Sequence, residues 1–185
     1  MQTPTRPLLE LDGFSLRRLA APDIPFVLDL HRQGGNRLLV DLPQDGQAAM
    51  TFLQELEKQP WQMMMVASSE GKPVGVHANG LTNLVSLNTY VLAMYSDASR
   101  ATIPLALYTR QIFWAFPLQR MYVQFPLLEE TESYRDLYRS AGFREEGIMK
   151  KHQAIAGRRH DVAVYGLLRE DFDEWWATHD PRLAL

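Results

Sequence analysis

The sequence predicts an α/β protein built on one mixed β-sheet with helices on both faces. Three observations predict it. Strand-like and helix-like patterns follow one another in the order β-α-α-β-β-β-α-β-α-β-β. A hairpin signal, Glu70-Gly71-Lys72, sits between two extended runs. No long linker, repeat or low-complexity tract interrupts the 185 residues, so a single domain over 1–185 is expected, with ample length for a core.

The elements follow in order. Phe14 to Leu19 alternates at period two and reads as a first strand. Pro22-Asp23 opens a helix carrying Phe26, Val27 and Leu30, with proline in its favoured early position, and Gly34-Gly35 breaks it. Asp45 to Gln59 is a second helix whose stripe is Met50, Phe52, Leu53 and Leu56. Trp61 to Ser68 is an apolar strand in which Met63-Met64-Met65 fills interior space, and Pro73 to Ala78 returns as the third strand. Leu84 to Tyr95 is the central fourth strand, and Thr102 to Phe116 a helix capped by Thr102 with Pro104 in its first turn. Arg120 to Phe125 is a fifth strand and Glu130 to Ala141 another helix. Two extended stretches joined at Ala156-Gly157 close the sheet, giving an expected six to seven strands.

Composition excludes several classes. A net charge of -3 spread along the chain offers no basic stripe to nucleic acid or to anionic lipid. With no cysteine there is no thiolate nucleophile, disulfide framework or cysteine zinc site. Five scattered histidines lack the close spacing of a metal motif, so no metal is expected. The first thirteen residues carry no apolar stretch suited to a signal peptide, and no window approaches the roughly 18 apolar residues of a membrane span. A soluble, cytoplasmic protein is the expectation.

The most informative segment runs from Tyr134 to Phe172. An amphipathic helix with Leu137, Tyr138 and Ala141 leads into Gly142-Phe143, and His160 to Leu168 reads HDVAVYGLL. This closely resembles the C-terminal third of the GNAT acyl-CoA N-acyltransferases, in the branch acting on ribosomal proteins and small amines. The resemblance implies the GNAT fold and transfer of an acyl group, acetyl by expectation, from acetyl-CoA to the primary amine of a small molecule or a protein N-terminus. It also implies that the fourth and fifth strands splay apart around the pantetheine arm, along Leu92, Ala93 and Met94 here. The loop after the fourth strand should then hold the pyrophosphate on its amides and on the following helix N-terminus. In the family that loop reads Gln/Arg-x-x-Gly-x-Gly/Ala.

This chain departs from the pattern. Ser96, Ser99 and Ala101 occupy the three slots, with Asp97 adding negative charge, so the loop has no glycine to permit close approach. Ser99 and Arg100 can compensate as donors to phosphate. The asparagine and serine that the family places ahead of the Gly-Phe pair are Thr131 and Tyr134 here. Tyr138, four residues before Gly142, matches the tyrosine that protonates the departing thiolate; the alternative is an ordinary core tyrosine. Glu129 and Glu130 are candidate general bases or simply the acidic start of a helix. His77 and His152 have suitable intrinsic basicity, but a lone histidine on a strand is more often structural or surface-exposed.

Two other functions stay open at this level. One is a non-catalytic GNAT-like module that has lost normal CoA binding; the other is an acyltransferase using a larger acyl-CoA or an acyl-carrier donor. Side chains filling the gap between the fourth and fifth strands favour the module, and a deep apolar extension favours the larger donor. The helix over 102–116 is apolar nearly all round, and with Trp175-Trp176 it points to a homodimer or to a C-terminal segment folded back over it.

Overall fold

The computed structural model describes residues 8–40, 42–59 and 61–179; most of the proline-containing start of the chain lies outside them. Its element order is β1 (Leu9–Leu11), β2 (Phe14–Arg18), α1 (Ile24–His31), α2 (Gly46–Glu57), β3 (Met64–Ser69), β4 (Lys72–Asn83), β5 (Asn88–Tyr95), α3 (Thr102–Ala115), β6 (Arg120–Pro126), α4 (Glu132–Ser140), β7 (Arg144–Ile155), β8 (Arg158–Leu168) and α5 (Arg169–His179). The strands form one sheet ordered β1-β2-β3-β4-β5-β6-β8-β7. Short 3-10 turns at Gly34–Leu38 and Glu129–Thr131 complete the region that matters below.

The sheet has eight strands where the sequence predicts six to seven. The addition is β1, which pairs with β2 through Leu9↔Leu16 and Leu11↔Phe14. Its turn is Asp12-Gly13, both left-handed at φ 49° and 79°, the geometry of a two-residue hairpin. Glu70-Gly71 and Ala156-Gly157 turn in the same way. The run expected as a strand from Leu84 starts at Asn88, because residues 84–87 form the turn between β4 and β5. Asn83 holds that turn by accepting bonds from the Val85 and Ser86 amides, each at 2.9 Å.

Helices cover both faces. Ile24, Val27, Leu28 and Leu30 of α1 and Leu53 of α2 pack on Met64, Val76 and Met94. Leu105, Leu107, Ile112 and Phe113 of α3 and Leu137 of α4 pack on the other face, with Met121, Val123 and Phe125. α5 folds back over this second core. Phe172 meets Phe113 at 5.8 Å between ring centroids, and the Arg110 guanidinium lies 5.0 Å from the centre of the Trp176 ring. Among the described residues no helix is long and apolar enough to cross a membrane.

Candidate functional site

Among the described strands only β5 and β6 run parallel, and their pairing is short. It covers Asn88↔Arg120, Thr89↔Met121 and Tyr90↔Tyr122, after which the strands separate. The gap therefore opens beside Leu92, Ala93 and Met94, as the resemblance implies. Alternation sends Met94 toward the α1–α2 face and Ala93 and Tyr95 toward α3 and α4.

Side chains occupy the gap. The Tyr95 amide donates to the Tyr134 hydroxyl at 2.7 Å, and the Asn36 side-chain amide donates to the Tyr95 carbonyl at 3.2 Å. The Tyr134 hydroxyl in turn donates to the Asn36 side-chain oxygen. Asn36 is further anchored by donating to the Leu30 carbonyl at 2.7 Å. Both backbone polar groups of Tyr95 are thus satisfied within the chain, and Asn36 and Tyr134 are 2% and 3% exposed. Tyr134 stacks on Tyr95 and Phe125. Gly35 lets the 3-10 turn carrying Asn36 sit directly on the Glu130 backbone, where a Cβ has no room.

Tyr138 lies at the floor of this cluster. It is fully buried, its ring is edge-on to Phe125 and Phe143, and its hydroxyl has no hydrogen-bond partner among the described residues. Burial pushes that phenol well above the usual tyrosine value, with Tyr90 and Tyr134 adding to the effect. The phenol is therefore neutral throughout the physiological range. Tyr134 is pushed up by burial also, against the bond from the Tyr95 amide.

The loop after β5 is self-satisfied. Asp97 accepts from the Ser99 amide at 3.0 Å and from the Ser99 hydroxyl at 2.6 Å. Ser96 turns toward β4, its amide and hydroxyl both reaching the Val74 carbonyl. Arg100 is exposed and Ala101 buried, and with Asp97 and Ser96 they border a cavity of about 120 Å³. Thr131 faces inward: its hydroxyl lies 2.5 Å from the Pro126 carbonyl and accepts from Arg135 at 2.9 Å, closing the end of β6. Glu129 and Glu130 are exposed at the approach to α4.

The remaining histidine candidates separate. His77 is completely buried, tilted against Tyr108 and 3.1 Å through Nε2 from the Tyr95 hydroxyl, and burial lowers it to about 3. His152 is exposed on β7. Among the described residues no group of acidic and histidine side chains could hold a metal ion. The structure thus brings Tyr134 and Tyr138 together beside the unpaired end of β5 and turns Thr131 away. It also adds Asn36, Tyr90 and Tyr95, which the sequence alone does not single out. Asn36 stands in what reads as a helix-breaking Gly-Gly segment, with no local sign of its partner.

No family model and no curated protein matches the sequence. Solved structures do match in shape. A mutant form of the spermidine N-acetyltransferase SpeG from Vibrio cholerae superposes with a TM-score of 0.75 at 17% identity, over 88% of this chain and 97% of that one. The ribosomal-protein-S5-alanine acetyltransferase from Vibrio fischeri superposes at 0.70 and 16% identity, over 89% and 97%. The sheet order, the short parallel pair that splays, and superposition of most of the chain on both acetyltransferases establish that this chain has the GNAT fold.

Proposed function

We propose that the protein is an N-acyltransferase that moves an acyl group from a CoA thioester to a primary amine. The observation carrying this reading is the Tyr138 hydroxyl, completely buried and unpartnered at the floor of the β5–β6 gap. A buried hydroxyl without a partner loses about 1–3 kcal/mol of hydration, and the thiolate released when the amine forms its C–N bond and the C–S bond breaks is a chemically apt acceptor for its proton. When bound, the CoA thioester supplies the activated acyl carbon. The chain's part is positional: the unpaired end of β5 orients the donor, the surrounding rings exclude water, and Tyr138 holds the proton for the leaving sulfur. The acetyltransferase activities of the structural neighbours support this choice of chemistry.

A second reading rests on a specific observation. Tyr134 and Asn36 saturate the Tyr95 backbone, and Asp97 takes the Ser99 amide, so donor-facing groups are engaged internally. That favours a non-catalytic GNAT-like module. Calorimetric titration with acetyl-CoA decides between them, run on the natural chain and on Tyr134→Ser, which removes the occupying ring. Binding by the natural chain supports the enzyme. Binding by Tyr134→Ser alone supports the module, with Tyr134 as the blocking group. Binding by neither at millimolar ligand would sink the CoA-dependent mechanism.

A further inference from the structure

On the α1–α2 face a groove of about 730 Å³ runs from the last paired residue of β5 toward the β4–β5 turn. Leu56, Ala78, Leu84, Leu92 and Tyr90 line it with Trp61, and the polar liners are Gln59, Gln62, Asn79 and Thr82. Among the described residues that line it, none is charged. A polycation such as a polyamine finds no counter-charge there; an uncharged hydrocarbon chain finds a site of ordinary ligand-pocket size and lining.

The groove is built rather than incidental. Its walls include two bulky residues in left-handed backbone geometry, Trp61 at φ 67° and Leu81 at φ 49°, a conformation that marks sites held by their surroundings. Buried Asn79 ties Trp61 to the neighbouring strands. Its side chain donates to the Trp61 carbonyl at 2.6 Å, accepts from the Met63 amide at 2.7 Å and reaches Thr82 and Thr89 at 3.3 Å. Leu81 nonetheless stays 79% exposed at the rim.

Position identifies the occupant. The loop at 96–101 lies at one end of β5, the gap begins beyond Tyr90, and the groove continues the same line past Tyr90 and Leu92. A donor anchored at the loop and laid along β5 places its acyl chain here. We infer that this groove is the acyl pocket of the donor and takes a medium-length aliphatic chain, longer than acetyl. The inference rests on the acyltransferase reading.

The blocking variant is Gly80→Leu. A Cβ there meets nothing nearer than the Gln62 side-chain nitrogen at 3.9 Å, so the new side chain enters the groove without displacing backbone. Octanoyl-CoA is expected to bind the natural chain at least about 100-fold more tightly than acetyl-CoA, since each buried methylene contributes a factor of about 4. Gly80→Leu should erase that preference while keeping acetyl-CoA affinity. Equal affinities for the two donors would overturn the inference and leave the acyltransferase reading intact. Nile red fluorescence tests the groove without CoA: saturable binding lost in Gly80→Leu supports a built apolar site, and no binding overturns it. Displacement of Nile red by n-octylamine, with no octanoyl-CoA preference, assigns the groove to the acceptor and refutes the acyl assignment.

Discussion

Tyr138 is a residue whose two roles predict opposite outcomes for one substitution. An unpartnered buried hydroxyl destabilises the fold, so Tyr138→Phe is expected to leave stability unchanged or raise it by about 1 kcal/mol. Urea unfolding measures that directly. Under the acyltransferase reading the same change lowers turnover by about 10²–10⁴-fold with little effect on donor affinity, because a proton donor to the leaving sulfur acts in the transition state. Steady-state kinetics that show full activity in Tyr138→Phe return the residue to the core. Tyr138 is legible in the sequence because it stands at a fixed distance from Gly142-Phe143. Asn36 is not, since its bonds reach across 59 positions to Tyr95 and 98 to Tyr134, a relation that only the folded sheet creates.

Among the elements, the start of α1 depends on one ion pair. Arg17 on β2 makes two bonds of 2.6 Å to Asp23, which also accepts from the Ala20 amide at 2.9 Å. Burial alone pushes the Asp23 carboxyl up, but these bonds outweigh it and hold it below the usual carboxylate range. A depressed carboxylate stabilises the fold fully above its unfolded value, and the contribution is lost as pH falls through the folded one, here below about pH 4. Asp23→Asn should lower stability by about 1–3 kcal/mol at neutral pH, with the difference from the natural chain shrinking in stronger acid. At the other end, α5 covers α3. Phe172, 2% exposed, touches Phe113, Trp175 and Trp176, so Phe172→Ala is expected to cost about 3–5 kcal/mol in denaturant unfolding. Most elements are readable from periodicity and turn chemistry. β1 is not, although Asp12-Gly13 is a strong hairpin signal, because a three-residue strand is too short to show alternation.

For the whole molecule, acid should act mainly through the interior. His77 is neutral and buried, lowered by desolvation to about 3, whereas unfolded it titrates near its ordinary 6.5. The unfolded chain binds the extra proton between those values, so stability falls as pH drops through that window, by about 1.4 kcal/mol per pH unit from this group. His77→Gln should flatten the dependence of unfolding free energy on pH between about 6 and 4. A steep slope that survives the substitution assigns it elsewhere. The surface that points to a homodimer is covered in large part by α5, though Trp114 stays 77% exposed on α3. Removing α5 by truncation after Leu168 should therefore raise the sedimenting mass per chain above that of the full-length protein at the same concentration.

Under the acyltransferase reading the Tyr134–Asn36 pair is also a tethered competitor. Any thioester that needs the Tyr95 backbone competes with a group the chain itself supplies at a fixed local concentration, in the millimolar range or above for a short tether. Apparent affinity is then the intrinsic affinity scaled by the open fraction. Were the pair open about one time in a hundred, a donor of about 1 μM intrinsic Kd would read as about 100 μM. Diluting the protein leaves that ratio unchanged, whereas shortening the tyrosine removes it, so the strength of the block is a property of two side chains and of nothing in solution.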